Sequence, residues 1–504
     1  MTHENTLRLL KKTNWPQKTN IDTDAIQKLS QILRDSAKEN THTRLPSPLD
    51  EMYSQVKLRL FFHFVKKDSL IGIAQPEWVF TFIVSVFEQT RPLLQSLHGD
   101  ETNTEQLNTF YTQIADLPFL LLKRNYGCVR GKGKYIAAWI SASVEFTKIT
   151  REDLGIVAEQ NCVSLLLSST QNTHRWTSHI KKTAENEYEK LCTAHLGWNR
   201  LADAELFRVS FMQIINHVTA QYTLLGPEWN ALKAGVLVTV QLALLKSLHQ
   251  KIEFDVPLFI ENKNDVSCLC CLAATSSKMA LSLLELGEQL SFCELAEEPP
   301  VTDLFHASQM DLPGTVFNAA AENFATQSRS LLMKIALNYF RPIKAVLVPV
   351  LSRFHYERLA EKTRERTHLL SKETETFCDM FSDAAGLLQK SLSASAFKNI
   401  TEMLVGLITD WILSEWLPKK PYCLRLALAD LSRIHSALQE KTGCALLKLG
   451  EVCKLIGMDD STLQRIKEKT KTEDMFEISS VLDSYGIAEL SLDECEMVID
   501  GSLL

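Results

Sequence analysis

Four short clusters in the sequence have the residue types that chemistry needs. Arg130-Gly131-Lys132-Gly133-Lys134 has the glycines and cations of a phosphate cradle. It lacks the G-x-x-x-x-G-K-[ST] spacing, and Tyr135 stands where a hydroxyl would hold magnesium, so it reads as a surface loop. His174 and His179 are five apart, not the i, i+4 pair that faces zinc from one helix, and read as ordinary half-exposed residues. Asp459-Asp460 has no third carboxylate in the next turn. With Ser461 and Thr462 it reads as a helix start, where such side chains cap free N–H groups. Cys268-Leu269-Cys270-Cys271 lacks paired C-x-x-C spacing and downstream histidines, and reads as a buried thiol-rich helix face. There is no G-x-S-x-G elbow. An all-α terpenoid-synthase-like enzyme would need two facing carboxylate clusters, which the lone Asp459-Asp460 pair does not supply. The expectation is a protein that is not an enzyme, with no catalytic residue, no cofactor and no metal.

The composition sets what kind of scaffold carries these residues. Lys plus Arg number 54 against 61 Asp plus Glu, a net charge of −7 over 504 residues. That balance offers no nucleic-acid footprint, which needs clustered cations. Glycines number 18 and prolines 15, few enough to argue for long helices over sandwiches or Gly-rich sheets. Twelve scattered cysteines suit a reducing compartment. Met1 to Trp15 has no apolar run of signal-peptide kind. Ala234 to Leu245, the longest apolar stretch, falls short of the ~20 residues of a membrane span and reads as a buried helix. The last five residues match no retention or prenylation signal.

Helical periodicity recurs from about residue 50 to about 470. Phe207, Phe211, Ile214, Ile215, Val218 and Tyr222 share one helix face. Leu331, Leu332, Ile335, Tyr339 and Ile343 do likewise, with Pro342 expected to end or kink that helix. Ile400, Met403, Leu404, Leu407, Ile408 and Trp411 form a third stripe running to Trp416-Leu417-Pro418. Sustained period-2 alternation is absent from the sequence. Breaks are expected at Thr41 to Leu49, His98 to Thr104, Asn125 to Lys134, Leu225-Gly226-Pro227, Glu297 to Pro300 and Pro418 to Pro421. Arg358 to Arg366 reads as the solvated face of a helix, and no fixed-period repeat marks a solenoid. The fold class is all-α.

The most informative segment is Val56 to Phe87, VKLRLFFHFVKKDSLIGIAQPEWVFTFIVSVF. A basic-aromatic stretch (Lys57, Arg59, Phe61, Phe62, His63, Phe64) precedes a polar gap, and Pro76-Glu77-Trp78 then opens an apolar helix. Pro76 suits a first helical turn and Glu77 complements the helix dipole. Trp78, Phe82 and Val86 form an i, i+4, i+8 stripe, so Trp78 is expected in the core. The segment resembles the opening block of the RINT/TIP family, in which Phe61, His63, Phe64, Pro76, Glu77 and Trp78 are structural signature residues. Leu206 to Leu248, Leu312 to Pro342, Leu387 to Trp411 and Tyr422 to Ile456 are similar to later blocks of that family. The gap Lys66 to Ala74 departs from its glycine-arginine-threonine-asparagine flavour.

The resemblance implies an elongated stack of helical bundles of the multisubunit-tethering (CATCHR-like) type. Its segments would be 1–50, an N-terminal helix and linker shorter than in the family, where an extension docks the partner tether subunit; 51–200, a first bundle with the signature; 201–355, a central bundle; and 356–504, a C-terminal bundle with an acidic tail. It implies a vesicle-tethering subunit of Golgi-to-endoplasmic-reticulum transport. The partners would be other tether subunits and endoplasmic-reticulum SNARE proteins, and not nucleic acid. A cell-cycle checkpoint or spindle-associated scaffold is a second reading the family carries. A helical-repeat adaptor is a separate alternative. The chain would be cytoplasmic and peripheral on the cytosolic face of the endoplasmic reticulum, its membrane association indirect. One basic loop, with Lys123, Arg124, Arg130, Lys132 and Lys134, is a possible contact, though such loops are more often simply solvated.

Overall fold

All regular structure among the described residues is helical, as the 3.6-residue periodicity requires. The computed structural model describes residues 24, 27–32, 47–65, 71–96, 101–194, 198, 200–223, 225–260, 266–296, 315–350, 372–416, 424–442, 447–470 and 475–503. The breaks expected at Glu297 to Pro300 and Pro418 to Pro421, the charged run Arg358 to Arg366 and most of the gap after Val65 lie outside them. So does most of the linker at Thr41 to Leu49, whose last three residues open a helix.

Two compact units divide the chain: Met1–Cys192 with Met212–Leu244 and Glu298–Pro300, and Thr193–Phe211 with Leu245–Glu297 and Val301–Leu504. In the first, helices Ser47–Val65, Glu77–Ser96, Glu101–Ala115, Leu117–Val129, Gly133–Lys148 and Thr170–Ala194 enclose a core. Leu60, Ile83, Phe110, Leu122, Ile136 and Trp176 are fully buried there. The Trp139 indole N–H donates to the Ile73 carbonyl at 3.2 Å, tying a short helix to that core. In the second unit the long helix Asn318–Val350 packs on Val266–Gly287, Lys372–Ser391 and Ala394–Trp411. Asp459 begins helix Asp460–Thr470 as expected: its carboxylate accepts from the Thr462 amide at 3.0 Å and the Thr462 hydroxyl at 2.8 Å.

The stripe of helix Leu201–Tyr222 is buried at all six of its positions. Three expectations are corrected. Pro342 does not end its helix, which runs on to Val350 with Pro349 also inside. Ile343 and Leu347 are buried beyond the proline, and that packing offsets the backbone hydrogen bond it removes. The Asn125–Lys134 break shrinks to Arg130–Lys132, because helix Leu117–Val129 continues through Gly127 and is pinned by fully buried Val129. The apolar stretch at 234–245 belongs to a longer helical run. By length and composition Pro227–Pro257 and Val266–Gly287 are each long and apolar enough to cross a membrane. Half of the apolar window in the first and 67% in the second is buried inside the protein, as core helices require.

Candidate functional site

Helices Ser47–Val65 and Glu77–Ser96, with Pro76 just ahead of the second, carry the residues expected as a signature. Pro76 is buried, and its carbonyl accepts from the Val79 and Phe80 amides at 2.9 and 3.2 Å. Glu77 is exposed in the first turn. Phe64 is buried against Phe82 in an edge-on contact, with ring centroids 6.2 Å apart. Phe61 is half-buried beneath the Arg124 guanidinium, 5.4 Å from its ring centre. His63 is exposed and meets Phe82 at 6.5 Å.

Trp78 is not a core residue. It is 57% exposed, and the buried face of its helix is Val79, Phe80, Ile83, Val86 and Phe87. A five-residue i, i+1, i+4, i+7, i+8 set buries more apolar surface than Trp78-Phe82-Val86, so the helix turns that set inward. Phe80 packs on Trp139 and Phe146. On the neighbouring helix Leu58 and Phe62, one turn apart, are 71% and 57% exposed. The Leu58/Phe62 pair and Trp78, the latter one turn from Phe82, therefore put large apolar side chains in water on adjacent helices. The signal the sequence holds for this surface is the i, i+4 placement of Leu58 and Phe62 among Lys57 and Arg59.

The five basic residues come from two helices and the turn between them. Lys123 and Arg124 lie on helix Leu117–Val129, Arg130 and Lys132 in the turn, and Lys134 in the first turn of Gly133–Lys148. All five are exposed. Lys123 lies 6.0 Å over Phe119 and Lys132 4.8 Å over Tyr135, so aromatic faces hold both cations in place. Arg175 donates to the Arg130 carbonyl at 2.5 Å. Buried Asn172 donates to the Tyr126 hydroxyl at 2.8 Å and to the Leu166 carbonyl at 3.0 Å, fixing helix Thr170–Ala194 against helices Leu117–Val129 and Cys162–Leu167. His179 is half-buried on that helix, and burial together with Lys134 holds its imidazole below the ordinary value. His174, one turn and a residue earlier, is exposed. The two histidines do not share a site.

Cys268, Cys270 and Cys271 are buried. Burial pushes the Cys270 thiol up to about 12 and that of Cys271 to about 11, far from the thiolate a nucleophile or metal ligand needs. Among the described residues no group of three His, Cys, Asp or Glu could hold a metal ion.

These features define an all-α bundle protein whose distinctive chemistry lies in exposed aromatic and basic surface. The chain belongs to the RINT-1/TIP-1 family, whose sequence model matches residues 47–500. In fold it is similar to the Dsl1 complex subunit Tip20, as seen in the crystal structure of the SNARE Sec20 bound to Tip20. The TM-score is 0.65, over 99% of this chain and 89% of that one, at 11% identity. No curated protein matches the sequence.

Proposed function

We propose that this chain is a non-enzymatic vesicle-tethering subunit acting in Golgi-to-endoplasmic-reticulum retrograde transport, peripheral on the cytosolic face of the endoplasmic reticulum. The observation that carries the reading is the family match over residues 47–500, joined to a fold shared with a tether subunit seen bound to a SNARE. Its partners are other subunits of the tethering complex and endoplasmic-reticulum SNAREs, and it reaches the membrane through them. Bridging is the mechanism. A chain held by a tether subunit and a SNARE converts their encounter into an intramolecular one, at effective concentrations up to about millimolar. No bond need be made or broken.

Exposed Leu58, Phe62 and Trp78 are the residues we assign to partner contact, because a few large side chains, tryptophan foremost, dominate binding energy once an interface covers them. Affinity purification of the chain from cells tests the function: endoplasmic-reticulum SNAREs and tether subunits should be recovered together. Recovery of neither would overturn the reading.

A further inference from the structure

Within the first unit, helices Gly133–Lys148, Thr170–Ala194 and the second half of Leu201–Tyr222 leave a cleft of about 220 Å³. Its polar lining is Lys134, Ser141, His179, Thr183, His217 and Gln221. Alanines at 137, 138 and 184 make the room. No carboxylate lines it, although the whole chain carries a net charge of −7. Lys134 puts a fixed positive charge in the lining, and the two imidazoles supply N–H donors. Arg130 and Lys132 lie just before Lys134 in sequence, and Arg175 one turn before His179 ties that turn in place through the Arg130 carbonyl.

A lining of this kind is complementary to one class of ligand. Ammonium, imidazole N–H, hydroxyl and amide donors without any anion match a tetrahedral, doubly charged group with several acceptor oxygens. The Ser141 hydroxyl donates to the Gln221 side-chain oxygen at 3.4 Å, which turns the Gln221 amide N–H groups away from Ser141. The volume is below the roughly 300–1,000 Å³ of drug-sized sites. That suits a phosphate on a small carrier better than a nucleotide. We propose that this cleft binds a small phosphate monoester, with Lys134 and His179 as its principal contacts. The lowered proton affinity of His179 beside Lys134 agrees with this, since a bound dianion would remove the repulsion between them.

The inference goes beyond the tethering reading and does not depend on it. It is tested on the purified full chain by calorimetric titration with inositol trisphosphate, and by co-sedimentation with phosphatidylcholine vesicles containing or lacking phosphatidylinositol phosphate. Lys134→Gln and His179→Gln are compared with Lys123→Gln, which lies outside the cleft, and all three must melt like the parent chain. Binding of the soluble probe that falls about tenfold, or 1.4 kcal/mol, in both cleft variants but not in Lys123→Gln supports the site and a soluble ligand. The same pattern on doped vesicles alone supports the site and a lipid headgroup. Absence of binding to both probes overturns the proposal. So does binding that Lys123→Gln weakens as much as the cleft variants, which would mark a diffuse basic surface.

Discussion

Gly133 sits against the backbone of Arg175: a Cβ at Gly133 would lie 2.6 Å from the Arg175 carbonyl oxygen and 2.8 Å from the His179 Cβ. The helix Gly133–Lys148 can approach Thr170–Ala194 this closely only because its first residue has no side chain. Backbone cannot swing aside as the end of a lysine can. Gly133→Ala should therefore force the helices apart and cost about 1–3 kcal/mol, the range for overpacked sites, despite alanine's better helix propensity. Gly131→Ala, where nothing lies within 4 Å, should stay within about 0.5 kcal/mol of the parent. Chemical denaturation of the pair is the check, and equal midpoints would contradict the close contact.

How far the sequence carried depends on whether a feature is local. The stripe of helix Leu201–Tyr222 is set by spacing alone, and all six of its residues are buried. Trp78 shows where spacing runs out. Two overlapping apolar stripes fit the same helix, and only the shape of the core, filled by Phe80 against Trp139 and Phe146, selects between them. The Asn125–Lys134 segment looks like a loop because Gly and Asn are weak helix formers, yet tertiary burial of Val129 keeps its first half helical. The His179 and His217 cleft could not be read at all. It exists because three helices distant in sequence meet, and nothing in the spacing between 179 and 217 encodes that meeting.

Two tryptophans separate stability from binding. Trp176 is 0% exposed, so Trp176→Ala should cost about 3–5 kcal/mol, as for other buried aromatics. Trp78→Ala should cost far less, about 1 kcal/mol or below, because most of its ring is already in water. Its effect should fall on partner recovery, with Phe62→Ala acting in the same direction. Measured by thermal unfolding and by co-purification, the two changes should move opposite readouts. A Trp78→Ala chain that keeps every partner would remove the aromatic surface from the tethering proposal.

Gln241 is fully buried within the π-helical turn Leu237–Leu242 and is held there by three hydrogen bonds. The Tyr222 hydroxyl donates to its side-chain oxygen at 2.5 Å, and its amide donates to the Ile215 carbonyl at 3.0 Å and the Thr219 hydroxyl at 2.6 Å. Gln241→Leu removes the acceptor of the Tyr222 hydroxyl and the donor to the Ile215 carbonyl, and should cost about 1–3 kcal/mol. Tyr222→Phe together with Gln241→Leu removes both polar partners and should cost less than the sum of the single changes. A double-mutant cycle in urea measures the coupling. Strict additivity would mean the short contact contributes nothing.

Glu205 carries the clearest dependence on pH. Arg208 grips its carboxylate with two N–H groups at 2.6 and 3.2 Å, and Lys278 donates from the neighbouring helix Val266–Gly287 at 2.9 Å. Arg208 also donates to the Ser282 hydroxyl at 2.9 Å, which fixes the fork. The Arg208 hydrogen bonds, with those of Lys278, hold the carboxyl down at about 2, below its ordinary 4.5. A carboxyl depressed by folding stabilises the native state fully above its unfolded value and loses that contribution as pH falls through the folded one. Glu205→Gln should thus be less stable than the parent at neutral pH. The carboxylate is partly exposed, at 36%, so solvent screening limits the gap to about 1 kcal/mol. It should narrow from about pH 4.5 downward and close near pH 2, and added salt should shrink it at neutral pH. Urea midpoints of the two chains across that range give the test. A gap of constant size would show that Glu205 acts through shape, and that the ion pairs to Arg208 and Lys278 do not stabilise the fold.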